Sequence, residues 1–241
     1  FASKANLYSS ISKDGKMNFK VIAPKLNYHD VSEFYLRPFS ALISGSADTQ
    51  INFVIAKHGL EQLNARSNLV GVKLNGPTPL AKESSATSSL TLNLKPVTND
   101  GTLINWQYGD AIRGQQFFPA KGALTKGQVA IGYGASFLSD PDSTALTTVN
   151  VNLPTVDLLE WIAEVNTVLK TIKQEKLISE SGDLSALDGS AAGVKLSDKK
   201  TRKMLPIQVQ VSSDQFKFGK IDLGSGSANV VADGRHTYFN M

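Results

Sequence analysis

The chain has 241 residues, with 25 Lys and Arg against 21 Asp and Glu, a formal net charge of +4 and 41% apolar residues. This composition excludes a disordered polyelectrolyte, and the absence of cysteine excludes disulfides, thiolate zinc sites and cysteine nucleophiles. No stretch approaches the ~20 apolar residues that a membrane-spanning helix requires. The opening residues, Phe1 to Lys4, lack an initiator Met and a signal segment, which predicts a processed or trimmed start.

Apolar residues at every second position predict that the chain is mainly β. The clearest alternation, over 129–137, predicts a strand with one buried face. Further predicted strands lie at 17–23, 41–56, 69–74, 90–95, 103–108, 149–153, 207–211 and 216–218. A total of about nine or ten strands is typical of a β-sandwich or a jelly roll.

Two segments depart from this strand period. Apolar residues spaced by three and four predict an amphipathic helix near 156–177. Pro154 stands ahead of its first turn, and Asp157 lies near the positive pole of the helix. A shorter helical pattern over 60–64 predicts a single turn between strands.

The order of these elements predicts two parts. Residues 1–145 form a β-sandwich or jelly-roll body, and residues 146–241 form a helix-plus-strands extension or subdomain. Within the second part, the Ser-, Gly- and Asp-rich segment 179–198 predicts a long loop or hinge. Exposed loops are also expected at 76–79 and 84–89, where Gly, Pro and Ser are frequent.

Motifs that would indicate catalysis or metal binding are missing from the sequence. The three histidines, His29, His58 and His236, are too far apart in sequence for a local zinc motif, so we expect hydrogen-bonded or surface roles for them. The chain contains no phosphate-binding loop, nucleophile elbow or His-Glu-x-x-His sequence. We therefore predict that the protein is not an enzyme and binds no cofactor or metal.

Two other segments imitate functional motifs. The sequence Gly132-Tyr133-Gly134 lacks the third glycine of a nucleotide-binding loop, so it predicts a strand that packs closely against another backbone or a partner subunit. Asp183 and Asp188 flank a loop without the ligand spacing of a calcium loop. Neither segment therefore predicts a ligand site.

The densest basic run precedes the predicted strand at 207–211. Such a run is usually a solvated loop, and the alternative is electrostatic contact with the phosphates of a nucleic acid. It lacks the interleaved aromatic residues of a stacking platform, which favours the solvated loop. The possible nucleic-acid contacts are Lys195, Lys199, Lys200, Arg202 and Lys203.

Two aromatic pairs are candidates for a ligand groove or an interface. They are Trp106 with Tyr108, and Phe117 with Phe118. Aromatic side chains in a β protein chiefly supply buried area, so a role in the core is favoured. A carbohydrate site is the functional alternative.

Residues 122–137, followed by Asp140 and Pro141, resemble the last strand of the jelly-roll shell domain in coat (capsid) proteins of small icosahedral plant and insect RNA viruses. In those proteins a Gly precedes an alternating strand that carries a Tyr, and a Pro follows shortly afterwards. The resemblance implies a jelly roll, a virion location and assembly into a shell.

The sequence thus predicts a self-assembling structural protein, most simply a viral capsid subunit, whose partners are copies of itself in a homo-oligomer. One alternative is a β module that binds a glycan or another ligand. Another is a viral nucleic-acid-associated protein, such as a movement protein or nucleoprotein.

Overall fold

The computed structural model describes residues 4–35, 37–97, 101–120, 126–138, 147–163, 207–232 and 237–240. Within these ranges the chain forms strands β1 Asn6–Ile11, β2 Met17–Asn27, β3 Ile43–Ala56, β4 Gly59–Ser67, β5 Val72–Leu74, β6 Leu90–Val97, β7 Gly101–Tyr108, β8 Ile112–Pro119, β9 Lys126–Ile131, β10 Thr147–Asp157, β11 Ile207–Phe218, β12 Ile221–Ala232 and β13 Thr237–Asn240. Helix α1 spans Tyr28–Tyr35, a 3-10 helix spans Arg37–Leu42, and residues 158–163 begin helix α2.

Twelve strands lie side by side in one sheet, in the order β1-β2-β3-β4-β6-β7-β8-β9-β10-β11-β12-β13, and β5 pairs with β3 beside this path. Neighbouring strands are antiparallel except that β10 is parallel to both β9 and β11. The predicted mainly-β fold is confirmed. It fits a jelly roll only loosely, because a jelly roll packs two sheets face to face whereas these strands form one hydrogen-bonded ladder.

The helical turn predicted over 60–64 is wrong, because these residues lie in β4. A bulge lies opposite Val54 and Ile55, so that Ile55 pairs with Leu60 while Phe53 pairs with Leu63. A bulge inserts one extra residue into a strand. Two leucines three positions apart therefore share one face of a strand and imitate the spacing of a helix.

The strand predicted over 129–137 is too long, because β9 ends at Ile131. Gly132 has a φ of 124°, which side-chain-bearing residues rarely adopt, and a Cβ there would overlap the backbone carbonyl of Asn152. The glycine therefore permits the close backbone approach that its sequence context predicts, but it also ends the strand.

Helix α2 begins close to the predicted place, although Pro154 lies inside β10 and not at the helix start. The backbone N–H of Leu159 donates to Asp157 Oδ1 at 2.9 Å, which satisfies one free amide of the first turn. Residues 164–177 of the predicted helix and the predicted loop at 179–198 lie outside the described ranges. The division at residue 145 stays a prediction, and β9 and β10 on either side of it are neighbours in the sheet.

The buried core lies near one end of the strands. One cluster contains Ala111, Ile112, Ile131, Val151, Leu153 and Val156, and the other contains Ala47, Leu69 and Val72. The segment 68–89 and the start of α2 pack here, so we call this the loop end. The opposite end carries the short turns at 12–16 and 57–58, and we call it the turn end.

Candidate functional site

The most extensive feature of the sheet is a row of apolar residues that crosses its middle. Each residue is the cross-strand partner of the next, because the pairing register is continuous from strand to strand. Side chains alternate between the two faces of a strand, so partners in one row share a face. The row consists of Leu7, Val21, Ile51, Ala65, Leu92, Trp106, Gly114, Val129, Val149, Val209 and Val230.

The next row toward the turn end lies on the same face and is also apolar through five strands. It consists of Phe19, Phe53, Leu63, Leu94 and Ile104. The rings of Phe19 and Phe53 stack with centroids 4.8 Å apart and an interplanar angle of 13°. We call the side of the sheet formed by these two rows the apolar face.

The apolar face is covered at the loop end and open toward the turn end. Near the loop end, Leu80, Leu158 and Trp161 pack against the buried cluster around Ile112 and Val151. The row from Phe19 to Ile104 is half-buried and lies outside both buried clusters of described residues. Further out, Met17, Leu60 and Phe118 are 38–41% exposed.

The opposite face of the sheet is polar. Six strands from β3 to β9 place amide side chains in one cross-strand row, consisting of Asn52, Asn64, Asn93, Asn105, Gln115 and Gln128. Gln115 Nε2 donates to Asn105 Oδ1 at 3.0 Å, and Asn93 Nδ2 donates to Asn64 Oδ1. Water can satisfy the remaining amide groups, so this face needs no cover, whereas the apolar face gains free energy from one.

A buried lysine holds the cover of the loop end in place. Lys82 is 6% exposed, and its ammonium donates to the carbonyl oxygens of Leu69 at 2.8 Å, Val72 at 2.7 Å and Glu83 at 3.0 Å. Burial lowers the pKa of Lys82 below its usual 10.5, and the neighbouring Glu83 charge opposes that shift. Hydrogen bonds to three carbonyl oxygens compensate the loss of water around the buried ammonium. They also link distant residues within segment 68–89.

The predicted aromatic residues separate into two groups. Trp106 and Tyr108 lie on the apolar side of β7, half-buried against the core clusters, and the Tyr108 hydroxyl donates to the carbonyl oxygen of Leu80 at 3.3 Å. The Trp106 indole lies over Gly114 in the next strand, where a Cβ would overlap it. Phe118 lies on the same side of the sheet, but Phe117 lies on the polar face. The structure therefore brings three of the four predicted aromatics to one side.

The predicted basic contacts from Lys195 to Lys203 lie outside the described ranges, as do His236, Asp183 and Asp188. His29 Nδ1 lies 3.2 Å from the carbonyl oxygens of Ser40 and Ile43, and His58 lies in the exposed β3–β4 turn. In the part of the chain that the structure describes, no group of three or more His, Asp or Glu residues is placed to hold a metal ion.

Two shallow cavities lie beside the sheet. One of about 450 Å³ lies between Asp48, Arg66 and Ser89, and one of about 220 Å³ lies beside Lys82 and Tyr108. Neither overlaps the open part of the apolar face. The expectations that the protein is not an enzyme and that it binds copies of itself stay predictions.

None of the helices described here is both long and apolar enough to pass through a membrane.

The apolar face was missed by sequence reasoning for a specific reason. Alternation within a strand shows that one face is apolar, but not which neighbours share that face. The assignment needs the register of every strand pair, and the sequence pattern does not predict strands at β1, β4, β8 or β12. The signal that could have revealed it is the repeated Asn or Gln between apolar residues, as in Leu92-Asn93-Leu94 and Ile104-Asn105-Trp106.

Comparison with protein-family models gives a match over residues 1–241 to the family described as YhdP protein. This family is bacterial, membrane-associated and AsmA-like. The predicted viral coat resemblance, capsid function and virion location are therefore wrong. The glycan-binding and nucleic-acid-binding alternatives gain no support from the match. The twenty-residue pattern behind the resemblance belongs partly to a strand that ends at Ile131. Comparisons with curated proteins and with solved structures found no match. Because the family model matches residues 1–241, the chain belongs to the YhdP family.

Proposed function

We propose that the apolar face binds the hydrocarbon chains of lipids. The observation that carries this proposal is the unbroken apolar row from β1 to β12, flanked by half-buried side chains that lie outside both buried clusters of described residues. Only twelve apolar residues in the described ranges are buried, which is few for a sheet of twelve strands. A continuous apolar surface of this kind marks a place where an apolar partner binds.

The dimensions of the face suit an acyl chain. Strands lie ~4.8 Å apart, so the eleven strands that the row crosses give it a length on the order of 50 Å. One acyl chain spans about half of a ~30 Å bilayer core, so it fits along part of the row. Each buried CH₂ contributes about 0.8 kcal/mol, which makes a long chain a strong ligand for such a surface.

Membrane association of the YhdP family supports a lipid over other apolar ligands. The polar face supports the same choice, because its amide row keeps one side of the sheet compatible with water. A sheet with one polar, solvated face and one apolar face can shield hydrocarbon from water by covering it from one side.

Site-specific photocrosslinking tests the proposal with an internal control. A benzophenone amino acid replaces Leu94 on the apolar face in one variant and Asn93 on the polar face in another. With detergent-dispersed phospholipid, we expect crosslinked lipid at position 94, because that side chain faces the proposed chain. Position 93 is one residue away and should give little crosslink. Equal labelling at both positions, or none at position 94, would contradict the proposal.

A further inference from the structure

The turn end carries an exception to the polar face. Its amide pattern is replaced there by Leu103 and Phe117, which are cross-strand partners in β7 and β8. Lys95 pairs with Leu103 on one side, and Lys126 pairs with Phe117 on the other. Two apolar side chains are therefore flanked by two lysines in a row across four strands.

The turn end is also positively charged. Among the described residues it carries five lysines, Lys13, Lys16, Lys57, Lys95 and Lys126, against the two carboxylates of Asp14 and Glu61. Lys16 Nζ lies 2.9 Å from Glu61 and 3.5 Å from Asp14, so both carboxylates form ion pairs with this lysine. The other four lysines are exposed, and no described acidic group forms an ion pair with them.

Exposed apolar residues accompany these lysines at the same end. On the apolar side, Ile11 is 75% exposed, Met17 41% and Phe118 39%, and on the polar side, two residues beyond Lys95, Val97 is 36% exposed. Both faces of the sheet are thus apolar at the turn end, and unpaired ammonium groups lie among the apolar side chains. The loop end is covered by segment 68–89 and the start of α2, except at the β11–β12 turn, where Phe218, Ile221 and Leu223 are 45–60% exposed.

We infer that the turn end docks onto the surface of a lipid bilayer that contains anionic headgroups. Aromatic and aliphatic side chains enter the boundary between headgroups and acyl chains, while lysines extend their ammonium groups to the phosphates. Each lysine near an anionic surface strengthens binding by a salt-sensitive amount. This docking surface goes beyond the proposed function, since the apolar face could hold a lipid without contacting a membrane.

A bilayer explains the combination better than other partners do. A nucleic acid would pair with the lysines but would offer no hydrocarbon for Ile11, Val97 and Phe118. An acidic protein would need a surface with matched carboxylates around an apolar centre. An anionic membrane supplies both partners. Its negatively charged headgroups bind the lysines, and the hydrocarbon beneath them takes up the apolar side chains.

Vesicle sedimentation tests the inference on the chain as it stands. The protein is mixed with vesicles of phosphatidylcholine alone or of phosphatidylcholine with phosphatidylglycerol, at low and high salt. We expect binding to the anionic vesicles that weakens at high salt. Replacing two surface lysines, Lys95→Gln with Lys126→Gln, should weaken that binding about 30-fold, because each contributes roughly fivefold.

The matched control changes two lysines at the loop end away from the β11–β12 turn, Lys25→Gln with Lys73→Gln, and should leave vesicle binding nearly unchanged. Equal loss in both double variants, or equal binding to neutral and anionic vesicles, would overturn the inference. Salt-sensitive RNA binding without vesicle binding would overturn it as well. Crosslinking at position 94 uses dispersed lipid and does not require the turn-end lysines, so a failure here is distinguishable from a failure of the proposed function.

Discussion

At the scale of single residues, Lys82 shows how the cover of the loop end is held. Its ammonium bonds to three carbonyl groups, and its pKa is lowered because burial disfavours the charge. We expect Lys82→Met to lower the free energy of unfolding by about 1–3 kcal/mol, since buried carbonyls lose their donor. Urea unfolding measures the change. Lys73→Met, an exposed lysine in the same segment, should change it by less than about 0.5 kcal/mol; a similar loss in both would contradict this role.

Trp106 and Gly114 pack closely against each other on the apolar face. The indole occupies the space in which a Cβ of residue 114 would lie. Gly114→Ala should therefore displace the indole, lower the free energy of unfolding by about 1–3 kcal/mol and change the near-ultraviolet circular dichroism of the tryptophan. The double variant Gly114→Ala with Trp106→Leu should lose less than the sum of the single variants. Additive losses would show that the two residues do not share this space.

At the scale of elements, the β11–β12 hairpin contains an irregular pairing held by Asp222. Its carboxylate accepts from Gln215 Nε2 at 2.6 Å and from the backbone N–H of Gly224 at 2.8 Å. The Gln215 hydrogen bond, above all, lowers the pKa of Asp222 below its usual 3.8. The stabilising effect is therefore fully present above that usual value and is lost as pH falls through the lowered pKa of the folded protein.

Carboxyl NMR titration checks this hairpin contact. We expect the midpoint of Asp222 below 3.8 in the parent protein and a shift back toward 3.8 in Gln215→Ala. Asp14, whose pKa is lowered chiefly by a hydrogen bond from Ser12 in the distant 12–16 turn, serves as a reference that the substitution should not move. A midpoint for Asp222 at or above 3.8 in the parent would contradict the hydrogen bonds described.

Elements with uninterrupted alternation could be predicted from the sequence, whereas β4 and β12, in which a bulge or a run of small residues interrupts the alternation, could not. β6 and β10 alternate cleanly, and their positions agree with the prediction. β4 was hidden by its bulge, and β12 begins with a Gly- and Ser-rich run that resembles a loop. Residue patterns within one segment carry local information, whereas the apolar face arises from pairings between segments far apart in the chain.

At the scale of the whole molecule, the sheet is stabilised from one side at its loop end and left open at its turn end. Among the described residues the two buried clusters supply the core, while the half-buried row from Phe19 to Ile104 lies outside both of them. A lipid that binds only the folded sheet should raise its stability in proportion to the logarithm of lipid concentration. If the proposal holds, a lipid completes the apolar side of a single sheet whose polar side is solvated.

Quenching of Trp106 fluorescence by phospholipid with brominated acyl chains tests lipid binding on the apolar face most directly. The chain has two tryptophans, so Trp161→Phe leaves Trp106, in the central apolar row, as the sole reporter. We expect saturable quenching by the brominated chains, and much weaker quenching when Leu94→Asp places a charge on the same face. Thr91→Asp on the polar face should leave the quenching unchanged. Absence of quenching, or equal quenching in all three proteins, would contradict the claim that this face binds hydrocarbon.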